Sequence, residues 1–186
     1  MSTKKSYAVF GLGKYGEAVA KELSDRGMDV LAVDIDPKTV ENAVGILPVC
    51  KCADVTDPEV LEQLGIADID VVIIAMASNL EASVLAVTLC RELGVGQIIA
   101  KCANETHRMI LQRVGADSVV FPEQESGVRL AKNLLSSGFV DMISLSDEVS
   151  VVELDVKDEW VGKNLIELNL RKRYSVNVVA MKRNGT

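Results

Sequence analysis

Short β-branched runs alternate with segments of helical period at spacings of about 20 to 25 residues, six times over, and that rhythm implies βαβ units closing on a parallel sheet. The runs are Tyr7–Phe10, Asp29–Asp34, Pro48–Cys52, Val71–Met76, Gln97–Lys101 and Ser118–Phe121. Val71-Val-Ile-Ile-Ala-Met76 is apolar throughout rather than alternating, as a strand covered on both faces must be. Between the runs, Lys14–Arg26 repeats apolar residues every fourth position at Tyr15, Val19 and Leu23, and Glu81–Leu93 does so at Leu85, Leu89 and Leu93. Each segment ends at a glycine, Gly27 or Gly94, suited to a helix C-cap. Asp36-Pro37 and Asp57-Pro58 have the form of an N-cap followed by a first-turn proline.

Gly11-Leu-Gly-Lys-Tyr-Gly16 follows the first strand directly and opens the first helix. In that context G-x-G-x-x-G is a dinucleotide-binding pattern: a tight turn at Gly11, backbone approach to a pyrophosphate at Gly13, and close helix–strand packing at Gly16. Free N–H groups at the helix start face the anion, with Lys14 and Tyr15 among the first-turn residues. Asp34 closes the second strand, where a carboxylate accepts hydrogen bonds from ribose hydroxyls and repels a 2′-phosphate; Ile35 follows it. The fold class is therefore α/β, a Rossmann-like doubly wound six-stranded parallel sheet. Ligands of such sheets bind at the carboxyl ends of the strands, so Asp54 and Val55, Ala75 and Met76, Lys101 and Glu123 join the candidates. Asp54 reads equally as a cap for the helix that follows, and Lys101 equally as a solvated strand end.

Composition excludes several other classes. With 20 Lys and Arg against 27 Asp and Glu, the net charge is −7, and no basic stripe exists to neutralise a nucleic-acid backbone. Aromatic residues are only 4%, too few for a base-stacking platform. Cys50, Cys52, Cys90 and Cys102 are scattered through apolar runs, against a disulfide framework or a four-ligand zinc site, and at least one of the alternating pair Cys50 and Cys52 is expected to pack. No window approaches the ~18 apolar residues of a membrane span, and no signal-peptide h-region precedes the first strand, so a cytoplasmic protein is expected. The single histidine, His107, is expected on the surface of a helix with nothing catalytic beside it. No nucleophile–base pair, P-loop or catalytic set is evident, which leaves a nucleotide-binding domain without a reaction.

A further helix starts at Pro122, acidic in its first turn. Beyond it the character changes. We expect a Rossmann domain over 1–138, a crossover or linker over 139–147, and a small α+β lobe over 148–186, with a strand at Val149–Val156, a short helix at Lys163–Leu168 and a strand at Val176–Met181. A helical surface after Phe139, carrying Val140, Met142, Ile143 and Leu145, is expected as the crossover or dimer patch.

Tyr7-Ala-Val-Phe-Gly-Leu-Gly-Lys-Tyr-Gly16, Val30-Leu-Ala-Val-Asp-Ile-Asp36, Ala53-Asp-Val-Thr-Asp57, Ala100-Lys-Cys-Ala103, Val114-Gly-Ala-Asp-Ser-Val-Val-Phe-Pro-Glu123 and Gly162-Lys-Asn-Leu-Ile-Glu-Leu-Asn-Leu-Arg171 together resemble the RCK (KTN) regulatory subunits of bacterial Ktr/Trk potassium-uptake systems. The resemblance spans nearly the whole chain. It implies a cytosolic subunit, peripheral to the membrane, that forms homodimers and an octameric ring on a separate, membrane-embedded potassium transporter. It also implies ATP, ADP or NAD(H) in the Rossmann crevice, with Gly11, Gly13 and Gly16 at the phosphates, Asp34 at the ribose, and Asp54 and Lys101 lining the crevice. Glu123 matches a position implied to sit by the phosphates at the dimer interface and to help hold Mg or another divalent cation. Lys14 stands where such subunits commonly carry Arg; it keeps the charge and loses the bidentate fork, so the choice between ATP and NAD(H) stays open. The resemblance further implies that the C-terminal lobe is incomplete. A function of another class is a small NAD(H)-dependent oxidoreductase, or a fragment of one, distinguished by turnover.

Overall fold

The computed structural model describes residues 4–135, 139–144 and 150–182. These fall into two compact units, one ending at Glu125 and the other starting at Ser126.

The first unit is built on β1 (Ser6–Phe10), β2 (Asp29–Asp34), β3 (Cys50–Cys52), β4 (Val71–Ile74), β5 (Gln97–Lys101) and β6 (Ser118–Val120). They form one parallel sheet in the order β3-β2-β1-β4-β5-β6. The chain winds outward from β1 to β3, then returns to β4 on the other side of β1. The order therefore reverses between β1 and β4, and the crevice at their carboxyl ends is where such sheets receive ligands. The connecting helices are α1 (Lys14–Asp25), α2 (Pro37–Val44), α3 (Pro58–Gln63), α4 (Leu80–Glu92) and α5 (Glu105–Arg113).

Two cores lie on opposite faces of the sheet, as the period-2 geometry of a strand requires. Val72 and Ile74 of β4 join Leu61 of α3, Ala86, Val87 and Cys90 of α4 and Leu111 of α5. Val71 and Ile73 join Ala20 of α1 and Ala43 of α2. All four β4 residues are buried, which explains why that run reads as continuously apolar. The expected punctuation is present. Asp36 accepts from the N–H groups of Lys38 and Thr39, Asp57 accepts from Glu59 N–H, and each is followed by its proline. Gly27 and Gly94 take φ of +77° and +80° just past their helices.

His107 departs from expectation. It is not a surface residue but is 3% exposed, on the first turn of α5 against α4. Its Nδ1 accepts from Ala103 N–H at 3.4 Å, so Nε2 carries the proton and donates to Ser83 Oγ at 2.8 Å, and Ser83 donates onward to Leu80 O at 2.8 Å. Burial pushes the imidazole pKa down, favouring this neutral form. Among the cysteines Cys90 and Cys102 are buried, Cys50 is half-buried and Cys52 exposed; all four are free thiols, and burial pushes Cys90 up to about 12.

The helix α6 (Pro122–Leu135) begins in the first unit and continues in the second. The segment after it is not the expected helical surface. Phe139–Ser144 is a strand, β7, paired antiparallel with β8 (Ser150–Leu154), because its β-prone residues find a hydrogen-bonding partner a few residues on. Leu145 and the rest of the expected linker to 147 lie outside the described residues, as does Val149, the first residue of the expected strand. The expected short helix is present as α7 (Leu165–Leu168), where Asn164 and Glu167 form a reciprocal capping box. A second short helix, α8 (Leu170–Tyr174), follows it. The strand expected over 176–181 is absent: the segment has no ladder, and Val178, Val179 and Met181 are 42%, 85% and 72% exposed. Strand-forming residues become a strand only with a neighbour to pair with, and none of the described strands takes this one.

Candidate functional site

The β1–α1 loop is shaped by constraints that differ at its three glycines. Gly11 has φ +88°, and a Cβ there would lie 2.8 Å from Met76 Cγ. At Gly16 a Cβ would lie 1.9 Å from the carbonyl oxygen of Gly11, so only glycine lets α1 pack this closely. Both are explained by the chain itself. Gly13 is not: its φ is −63°, and a Cβ there would meet nothing within 4 Å. It is the N-cap of α1, yet no side chain caps that helix, although Ser, Asp or Asn would stabilise the same position. The start of α1 thus opens onto clear space with first-turn N–H groups that no helix can satisfy internally.

Asp34 sits beside this opening. One carboxylate oxygen accepts from Leu12 N–H at 2.6 Å and the other from Asp36 N–H at 2.9 Å. The carboxylate therefore ties the end of β2 to the glycine loop and retains lone pairs for a ligand's hydroxyls. Ile35, next to it, is 65% exposed. Ala75 and Met76 continue from β4 against Gly11, with Ala75 N–H donating to Phe10 O at 2.7 Å. The structure thus brings Gly11, Gly13, Gly16, Asp34, Ala75 and Met76 to one loop.

A second group meets the first turn of α1 from the other side of the switch point. Lys101, ending β5, places its ammonium 5.6 Å from the ring centroid of Tyr15 and donates to Glu123 Oε1 at 2.5 Å. That hydrogen bond holds the Glu123 carboxyl below its ordinary range. Burial, then the charges of Glu125 and Glu123, push the Tyr15 hydroxyl up. Lys101 is therefore not a solvated strand end. Glu125 folds back to accept from Phe121 N–H at 3.1 Å, closing the start of α6.

The remaining candidates are more separate. Asp54 accepts from the N–H and Oγ1 of Thr56 at 2.9 and 2.7 Å, bonds that hold its carboxyl low, and α3 is capped by Asp57 instead. Val55 is 5% exposed and its side chain belongs to the core, so only its backbone can face a ligand. Lys14 is exposed and has no ion pair among the described residues. No group of three or more His, Cys, Asp or Glu capable of holding a metal occurs among the described residues. Glu123 alone would not hold a cation; further ligands would have to come from a bound phosphate or another chain. The contacts of Leu12 N–H to Asp34 and of His107 to Ser83 had no signal in the sequence, since each joins residues more than twenty positions apart.

Residues 7–122 match the TrkA-N domain model. The chain is 39% identical to the Ktr system potassium uptake protein C of Bacillus subtilis (strain 168) over 180 residues, 97% of this chain and 81% of that protein. It is 36% identical to the Ktr system potassium uptake protein A of the same organism, over 97% of this chain and 82% of that one. Among solved structures, the GsuK channel bound to NAD aligns with a TM-score of 0.67 at 19% identity, covering all of this chain and 34% of that one, a likeness of fold.

Proposed function

The chain belongs to the TrkA-N domain family, and from that premise we propose that it is a nucleotide-sensing regulatory subunit of a Ktr-type potassium-uptake system. Near-full-length identity to two Ktr potassium uptake proteins supports the potassium system, and leaves the hydride-transferring alternative without a relative among them. The observation that carries the nucleotide is Gly13: an uncapped helix start with open space before it, beside a carboxylate already oriented by the same loop.

The ligand is ATP, ADP or NAD(H). Its phosphates lie at Gly11, Gly13, Lys14 and Gly16, its ribose hydroxyls on Asp34, and its base between Ile35 and the backbone at Asp54 and Val55. Ala75 and Met76 form the wall facing Gly11, and Lys101 supplies charge. Glu123 contributes one ligand to a divalent cation shared with the phosphates at a homodimer interface. Dimers assemble into an octameric ring on a membrane-embedded potassium transporter at the cytoplasmic face. No helix among the described residues is long and apolar enough to cross a membrane. The domains are 1–138, 139–147 and 148–186, the central segment crossing between paired subunits.

The nucleotide acts by differential affinity. A ring driven from mostly off to mostly on requires the ligand to favour one state by about 5.5 kcal/mol, which several identical sites share. Thermal melts of the purified protein with ATP, ADP, NAD⁺ and NADH, each with and without Mg²⁺, test the reading. At 100 times Kd a ligand adds about 2.7 kcal/mol, a clear rise in Tm, and Asp34→Ala should remove that rise while the protein stays folded. An unchanged rise in Asp34→Ala, or catalytic oxidation of NADH, would defeat the proposal.

A further inference from the structure

Lys101 touches both the glycine-loop helix and the start of α6, through the Tyr15 ring and the Glu123 carboxylate. Its partners differ in how firmly they are held. Lys101 is in register with Val120 of β6, and Ala100 before it with Ile74 of β4, so the end of β5 is held in the sheet. The Lys101 side chain is 16% exposed, whereas that of Glu123 is 62% exposed. A carboxylate so exposed regains most of its hydration when released, and an exposed ion pair is weak to begin with. The ammonium sits on a flexible four-carbon stem and can turn toward a new anion without moving the backbone. The place for that anion is the first turn of α1, whose Tyr15 already lies under the ammonium.

We propose that the Lys101–Glu123 ion pair is the contact a bound nucleotide breaks: its phosphates draw the Lys101 ammonium onto themselves and set the Glu123 carboxylate free. The inference rests on the nucleotide reading above. Di- and triphosphates carry more charge than one carboxylate and offer the ammonium more acceptor oxygens, so the exchange favours the nucleotide once it is seated. Released beside the phosphates, Glu123 is then repelled by them unless a divalent cation intervenes. While the ion pair is intact the ammonium neutralises that same carboxylate, so cation binding follows nucleotide binding rather than preceding it. Lys101 thereby makes nucleotide and cation report on each other, since the coupling is reciprocal.

A double-mutant cycle tests this. ATP, ADP, NAD⁺ and NADH are each titrated calorimetrically in EDTA into wild type, Glu123→Gln, Lys101→Met and the double variant, and the cycle is evaluated with whichever binds. Glu123→Gln should tighten binding about two- to fivefold, the span that corresponds to an exposed ion pair, because the ammonium no longer has a partner to leave. In the Lys101→Met background the same substitution should bring a distinctly smaller gain, that of relieved repulsion alone. An equal gain in both backgrounds means simple repulsion between Glu123 and phosphate and overturns the proposal, as does no gain in either. If wild type binds none of the four nucleotides, the nucleotide reading fails and this proposal falls with it; binding that Asp34→Ala abolishes keeps the reading secure whatever the cycle returns. As a second measurement, Mg²⁺ should strengthen ADP binding to wild type and lose that effect in Glu123→Gln. Mg²⁺ binding to the nucleotide-free wild type as tightly as to the ADP complex would also overturn the order proposed.

Discussion

Single residues of the β1–α1 loop divide into those that serve the fold and those that serve a ligand, and substitution separates them. Gly16→Ala drives a Cβ into a backbone carbonyl 1.9 Å away and should cost roughly 3 kcal/mol in urea unfolding. Gly13→Ala meets no atom within 4 Å at an ordinary φ, so the variant should unfold close to wild type and yet lose nucleotide-induced stabilisation. A Gly13→Ala protein that binds as wild type does would remove the observation on which the site rests. His107 gives a pH dependence at the same scale. Its folded pKa is depressed by burial, so its contribution is fully present above the unfolded value of about 6.5 and is lost as pH falls through the lower folded value. The unfolding midpoint of wild type should therefore decline between neutral and mildly acidic pH more than that of His107→Gln. Equal slopes would show that proton uptake at Nδ1 of the buried His107 ring is not what the pH dependence measures.

At the scale of elements, the caps and strand ends explain both what the sequence disclosed and what it withheld. Asn79 caps α4 by accepting from Ala82 N–H at 3.0 Å, and that 13-residue helix carries Ala86, Val87 and Cys90 into the core. Asn79→Ala should cost about 1 kcal/mol by urea denaturation, with nucleotide affinity unchanged because the cap faces its own helix. The caps at Asp36 and Asp57 were legible, since an Asp before a first-turn proline acts locally. The ends of β4 and β6 were less so: β4 stops at Ile74 and β6 at Val120, short of the apolar runs that continue to Met76 and Phe121. A run of apolar residues marks burial, while a strand ends where its neighbour's ladder does. The same reason accounts for β7, read as helical surface, and for residues 176–181, read as a strand. In both, pairing, which a local window does not contain, decides the conformation.

For the whole molecule, the six-strand rhythm was enough to determine a doubly wound parallel sheet, because continuous apolar strands alternating with amphipathic helices have few other ways to bury both faces. The glycine pattern and Asp34 likewise followed from the sequence, since each must lie at the end of a strand whose order is set by connection rules. What tertiary structure alone decided was the company those residues keep. It bound Asp34 to Leu12 N–H, buried His107 against Ser83, and set Lys101 between Tyr15 and Glu123. It also separated Gly11 and Gly16, which the fold itself requires, from Gly13, which stands open. Local propensity and periodicity are properties of neighbouring residues and can be read along the chain. A contact between residues twenty or sixty positions apart exists only after the sheet has assembled, and it is there that the charge and the free space of the site are defined.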